Sequence, residues 1–217
     1  MCFSFKSDIH QDELKQATGA VVAQKSFELF YNDNPEGFTQ TVFPNAYSIN
    51  LIQTKHGPTL VPMRYRLRPA NSESEIPSKY NLYNARVESI LEKKTWNSLL
   101  GKKHVAVPMN AFNEWITTKE GKKVVQFKPE KNNIFWAAGL YDIWEDPTNK
   151  NKLVSFAIIT TEPTEYIEQV GHDRCPIMLS TEVALEWTAL NTDPVKAYNF
   201  LPKSMESNKL THEFSML

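Results

Sequence analysis

Segments with strand character follow one another through turns in this chain, and that succession most constrains its fold. Residues 46–54 and 60–67 read as strands around the turn His56-Gly57-Pro58. Residues 112–118 and 124–128 flank Lys119-Glu120-Gly121-Lys122, a hairpin signal. Residues 134–144 and 153–161 are joined by the turn-rich Asp146-Pro147-Thr148-Asn149, and short strands are expected at 104–108 and 175–179. Helical patterns are fewer. Asp8 can cap a helix over 9–18 that Gly19 ends, and 88–100 carries Ile90, Leu91, Trp96, Leu99 and Leu100 at helical spacing before Gly101. Residues 181–190 and a segment opening at Asp193-Pro194 complete the set, while 31–37 and the polar stretch 70–78 read as surface loops. Strands joined mostly by turns predict an α+β domain, mainly antiparallel, with twisted sheets or a barrel-like core and short flanking helices. It is expected to occupy 1–205, with 206–217 a polar C-terminal tail.

Composition excludes several classes. At 217 residues the chain makes one large domain or two small ones. With 24 Lys and Arg against 25 Asp and Glu it is not a polycation, although a local basic groove is compatible with a net charge of −1. A hydrophobic share of 41% supports a real core. The only cysteines are Cys2 and Cys175, too few for a disulfide framework or a Cys-rich zinc site. No segment approaches the ~18 apolar residues of a membrane span, and the first residues have no apolar run of signal-peptide length. A soluble intracellular protein is expected, cytoplasmic, or nucleoid-associated in a bacterium. Phosphate loops, dinucleotide fingerprints, zinc helices and nucleophile elbows are absent, so no metal and no cofactor is expected.

The remaining chemistry lies in polar residues where strands meet loops. Loss of Met1 would make Cys2 the N-terminal residue, with amine and thiol on adjacent carbons. An α-amine has a pKa of ~7.7–8, against ~10.4 for lysine, so part of it is nucleophilic near neutrality. Such a 1,2-aminothiol attacks an aldehyde, loses water to give a Schiff base, and closes a thiazolidine when the thiol adds to the imine. In Asn84-Ala85-Arg86-Val87-Glu88, Asn84 can orient a substrate and Arg86 hold a phosphate, or Arg86 and Glu88 can form a structural pair. Glu114, within Phe112-Asn113-Glu114-Trp115, is either a carboxylate with a raised pKa suited to proton transfer or an edge-strand residue facing water. In His172-Asp173-Arg174-Cys175-Pro176, His172 can be an acid or base and Arg174 a phosphate clamp, or Asp173 and Arg174 can pair locally. Cys175 reads as a buried packing residue.

Taken together, Met1-Cys2, Asn84-Ala85-Arg86-Val87-Glu88, Phe112-Asn113-Glu114-Trp115 and His172-Asp173-Arg174-Cys175-Pro176-Ile177-Met178-Leu179 resemble the SOS response-associated peptidase (SRAP) family of abasic-site sensors. Phe135-Trp136-Ala137-Ala138-Gly139-Leu140-Tyr141 also looks like its central strand, and the match extends from Cys2 to about residue 190. The resemblance implies a monomer that binds single-stranded DNA carrying an abasic site and forms a thiazolidine crosslink through Cys2, in the DNA damage response. It also implies peptidase activity, autoproteolytic on Met1, and lyase-type chemistry. By matching positions, Asn84 would orient the Cys2 amine and the sugar, Glu114 would shuttle protons, His172 would be the second acid/base, and Arg86 and Arg174 would contact phosphates.

Two departures stand out. Phe3-Ser4 replaces the family's Gly-Arg, and Tyr65-Arg66-Leu67-Arg68-Pro69 replaces Trp-Gly-Leu-x-Pro. Arg64, Arg66 and Arg68 are expected to restore positive charge on one strand face near the DNA, with Tyr65 or Phe3 as a stacking face; the other reading is a charged, solvated edge strand. Two alternatives from other classes remain: an N-terminal-nucleophile cysteine amidohydrolase, and a noncatalytic single-stranded DNA-binding module on the same fold.

Overall fold

The computed structural model describes residues 3–130, 134–204 and 209–215. Five strands form a closed ring of pairings: β4 (Tyr47–Thr54), β5 (Gly57–Tyr65), β7 (His104–Met109), β10 (Phe135–Glu145) and β11 (Lys152–Thr161). The β4–β5, β10–β11 and β7–β10 ladders are antiparallel; Leu51 opposite Ala106 joins β4 to β7, and a short parallel contact of Arg64 and Tyr65 with Ser155 and Phe156 closes the ring. The small strands β2 (Val21–Val22), β6 (Asn84–Arg86), β12 (Cys175–Pro176) and β13 (Met178–Leu179) extend this sheet. A second sheet runs in the order β14 (Leu210–Ser215), β9 (Gly121–Pro129), β8 (Ala111–Thr118), β1 (Ser4–Lys6) and β3 (Thr41–Val42). The mainly antiparallel α+β architecture with a barrel-like core is the one expected from turn-linked strands.

Strand alternation divides the core in two. On one face of the ring Val61, Met63, Tyr65, Val107, Phe135, Phe156 and Ile158 pack with Phe5, Phe112, Ile116 and Phe127 of the second sheet. On the other, Leu51, Leu60, Ala106, Trp136, Ala157 and Ile159 pack with residues of α1 (Gln11–Thr18), α5 (Thr181–Ala189) and α6 (Pro194–Ser204). Gly139 sits where three strands meet, and a Cβ there would lie 2.7 Å from the Ala157 carbonyl oxygen. Among the described residues no helix is long and apolar enough to cross a membrane.

Four local expectations differ. The helix foreseen over 88–100 is a 3-10 turn at Val87–Ser89 and a single turn, α3 (Lys94–Asn97). Asn97 donates its side-chain amide to the Leu91 carbonyl, and Trp96, Leu99 and Leu100 reach the core from turns. The helix over 9–18 begins at Gln11, and His10 rather than Asp8 holds the cap position; Gly19, at φ 65°, ends it as expected. Residues 31–33, expected to open the loop 31–37, are instead the last of helix α2 (Gln24–Asp33), which lacks a capping side chain and buries Phe27 and Phe30. Finally, the polar tail is in part a strand: β14 pairs with β9 from Leu210 to Ser215, and this neighbour could not be read from local composition.

Candidate active site

Glu114 shares the apolar face of β8 with Phe112 and Ile116, because alternate residues of a strand point the same way. It is fully buried there. Loss of water around the charged form pushes its carboxyl up to about 8, with the nearby Arg174 charge acting in the opposite direction. Its neighbour is His172, whose Nε2 lies 3.2 Å from Glu114 Oε2.

The histidine is positioned by a helix end. α4 (Glu165–Val170) is capped by Thr164 and stopped by Gly171 in the left-handed conformation, and the His172 N–H then bonds the Ile167 carbonyl. His172 Nδ1 lies 2.8 Å from the Arg174 carbonyl oxygen and 3.1 Å from the Arg174 backbone nitrogen. This allows two proton arrangements. When Nδ1 donates to the carbonyl, Nε2 accepts from a protonated Glu114; when Nδ1 accepts from the Arg174 N–H, Nε2 donates to the Glu114 carboxylate. Burial lowers the histidine pKa. The pair is therefore buried together, with Asp173, whose side chain is 87% exposed, 3.8 Å from Nε2.

Arg174 is buried and committed to the protein. It donates to Glu88 at 2.8 Å and to the Thr160 carbonyl and hydroxyl at 2.7 and 3.2 Å. Partial burial pushes the Glu88 carboxyl up, but bonds and charge from Arg174, helped by a backbone N–H and Arg86, bring the net shift down. Arg174 thus pairs with Glu88 rather than with its neighbour Asp173, and it braces β11 against the segment after β6. Asn84 and Arg86 lie on β6 beside Ile158 and Thr160 of β11, so both share the face carrying Tyr65, Phe156 and Ile158. Asn84 is buried and Arg86 exposed, and both line a cavity of about 350 Å3 with Tyr80, Lys93 and Trp96. Cys175 is a packing residue: it donates to the Glu162 carbonyl, and burial pushes its thiol up to about 12.

The three further arginines come together, but not as a strand face. Only Arg64 lies in β5; Arg66 has a φ of 102° and Arg68 follows the strand. Arg64 grips Glu75 with two bonds of 3.0 Å, and Arg68 lies 3.7 Å from the same carboxylate and 3.4 Å above the Trp144 ring. Arg66 bonds Asn45 and the Ile76 carbonyl. Arg64 pairs with Ser155, five residues before the Thr160 that pairs with Arg86, so alternation turns Arg64 to the opposite face of β11 from Asn84 and Arg86. Tyr65, expected as a stacking face, is fully buried, stacked on Phe156 at 5.2 Å and edge-on to Phe5. A β5 residue on the inner face points into the core. Cys2 lies outside the described residues. Phe3, its chain neighbour, packs on Trp115. Among the described residues no cluster of His, Cys, Asp and Glu is arranged to hold a metal ion.

Residues 1–214 match the family model described as SOS response associated peptidase (SRAP). This chain belongs to the SRAP family. It is 31% identical over 176 residues to the abasic site processing protein YoqW of Bacillus subtilis, covering 80% of this chain and 77% of that one. It is 26% identical to the abasic site processing protein HMCES of Pongo abelii, over 71% of this chain and 51% of the relative. A crystal structure of a Bacteroides thetaiotaomicron protein shares the SRAP chain's fold with a TM-score of 0.81 at 20% identity, over 98% of this chain and 91% of that one. A Bordetella bronchiseptica protein follows at 0.77 and 15%, over the full length of both.

Proposed function

We propose that this SRAP chain senses abasic sites in single-stranded DNA and captures them as a thiazolidine crosslink through Cys2, acting as a monomer at damaged DNA in the cytoplasm or nucleoid. The Glu114–His172 contact of 3.2 Å carries the reading. A carboxyl held near 8 is protonated at neutral pH and can donate to the hydroxyl that leaves as water when the carbinolamine becomes a Schiff base. His172 restores that proton from the solvent side, since the pair can hold it on either partner. Register supports the placement: Ser4 is opposite Asn113, so β1 enters the sheet beside Glu114, with residue 2 only two peptide bonds from Ser4.

In this reading Asn84 orients the Cys2 amine and the sugar, while Arg86 binds a phosphate at the cavity. Arg174 holds Glu88 and reinforces positive potential there. Arg64, Arg66 and Arg68 act as a secondary basic patch, and Tyr65 supports the core beneath the site. Removal of Met1 by the chain itself, at Glu114, and strand incision by β-elimination are the peptidase and lyase activities that belong to the same proposal. Relatives named abasic site processing proteins add to its support.

The test is a denaturing gel after incubation with single-stranded DNA bearing one abasic site. A retarded band that disappears with Cys2→Ala is expected, and intact mass should show Met1 missing. Native binding without a covalent band would leave the noncatalytic module, and a retained Met1 would defeat the amine chemistry.

A further inference from the structure

The inner face of the second sheet carries Glu114 on β8 and His212 on its edge strand β14. Phe112 of β8 stands opposite Phe127 of β9, and Phe127 stands opposite His212, so the three share one face. Glu114, two residues from Phe112, shares it too. Helix α4 lies over this face. Its Tyr166, Ile167 and Val170 pack with Phe112 and Phe127, and the Tyr166 ring meets Phe127 edge-on at 6.5 Å. The helix is tied to the sheet at both ends. After its last turn, Gly171 delivers His172 to Glu114 at 3.2 Å. In its first turn, the Tyr166 hydroxyl lies 2.7 Å from His212 Nδ1, with the two rings 5.8 Å apart. β14 is itself anchored along β9: Leu210 to Ser215 pair with Pro129 to Val124, Glu213 bonds Lys128, and the Glu130 N–H donates to the Lys209 carbonyl at 2.8 Å.

We infer that Tyr166 and His212 are positioning residues: through their hydrogen bond the C-terminal strand fixes α4 and so sets His172 against Glu114. A helix of six residues has little stability of its own, so its placement comes from what it touches. The buried Ile167 fixes its depth, but apolar contact has no direction and leaves it free to turn. The Tyr166–His212 bond supplies the direction. The link to the reactive pair is short, because the carbonyl of Ile167, next to Tyr166, accepts the His172 N–H. A turn of the helix at Tyr166 is passed straight to the imidazole, and a displacement of about 1 Å between reacting groups costs up to about 10²-fold in rate.

This inference rests on the crosslinking function proposed above, and the experiment separates the two. The full chain is reacted in single turnover with increasing single-stranded DNA bearing one abasic site. Tyr166→Phe, which keeps the ring, and His212→Leu should each lower the saturating rate about 10-fold and leave the half-saturating DNA concentration unchanged. His212→Asn, whose amide both donates and accepts, should restore most of the rate. With His172→Gln already in place, Tyr166→Phe should lower the rate no further, because both changes act through one group. A second readout needs no DNA. Burial holds the His172 pKa below the ordinary 6.5, so NMR titration of its imidazole should show a rise toward that value when Tyr166→Phe loosens the helix. Thermal melting checks that the variants fold, and a rate loss that only follows the unfolded fraction overturns the inference. Equal rate losses with and without His172→Gln, or an unchanged His172 titration in Tyr166→Phe, also overturn it and leave the function standing if wild type crosslinks. Wild type that forms no crosslink overturns the function, and the His172 titration then decides the positioning by itself.

Discussion

His104 and His172 are both buried imidazoles, and their surroundings give them opposite capacities. The Gly101 N–H donates to His104 Nε2 at 2.8 Å, Nδ1 donates to the Trp187 carbonyl at 2.9 Å, and the ring stacks on the Trp187 indole with centroids 3.7 Å apart. Both nitrogens are held by backbone in one tautomer, and burial pushes the pKa down to about 4. Such a group neither gains nor gives a proton near neutrality. His172 faces a second titratable group across 3.2 Å, its Nδ1 can donate or accept, and exposed Asp173 stands on its open side. Burial alone does not make a histidine a candidate for proton transfer; a titratable group within reach is needed beside it.

The largest expected effect comes from breaking that sharing. Glu114→Gln keeps the shape but holds no transferable proton, so the crosslinking rate should fall on the order of 10²–10⁴-fold. The same variant should be more stable than wild type at pH 8. The sign follows from linkage: the folded-state pKa is raised from 4.5 to about 8, so wild type loses stability as pH rises through that window, and glutamine has no such loss. If rate and melting temperature both matched wild type at pH 8, Glu114 would have neither role.

His104→Leu should do the converse. It leaves the Gly101 N–H without its partner, removes one of the two donors to the Trp187 carbonyl and disturbs the stacking, a cost of about 2–4 kcal/mol, with the crosslinking rate per folded molecule unchanged. In wild type, its depressed pKa makes stability present above pH 6.5 and lost as pH falls toward 4. The two windows overlap between pH 4.5 and 6.5, where their slopes oppose each other, so urea midpoints across pH 4–8 are compared in single variants: Glu114→Gln should show the fall on the acid side due to His104, and His104→Leu the fall with rising pH due to Glu114. A flat acid side in Glu114→Gln would mean that His104 protonates freely.

This comparison also marks what the sequence discloses. The strands with strong alternation were legible, and so was the apolar flanking of Glu114, because a period of two is a local property. The short motifs carried the family and named Glu114 and His172. The sequence does not disclose that these two meet, since that depends on how β8 and the loop after α4 approach across the fold. It does not separate His104 from His172, as both precede strands with apolar residues. Tyr65 and Arg66 were misread for a related reason: strand alternation predicts sides but not which side is covered, and the φ of 102° at Arg66 ends the regular strand. The tail strand β14 depends on β9, some 85 residues away in sequence at the Lys128–Glu213 pair.

A smaller effect tests whether the two arginine groups differ as the two histidines do. Arg86 is exposed beside Asn84, on the face of β11 that leads to the reactive pair, so Arg86→Ala should reduce the salt slope of binding to single-stranded DNA by about one phosphate contact. Arg66 and Arg68 belong to a group that already surrounds Glu75, whose carboxyl partial burial raises but whose net shift is downward because Arg64 bonds it and all three arginine charges act on it. Part of their charge is neutralised within the protein, and Arg64 is turned to the other face of β11. Arg66→Ala with Arg68→Ala should therefore change the slope by less than Arg86→Ala alone, although it removes twice the charge. If the double variant instead flattens the slope more, the DNA path runs over the Glu75 cluster, and Glu75→Gln should then steepen it by freeing the arginines for phosphate.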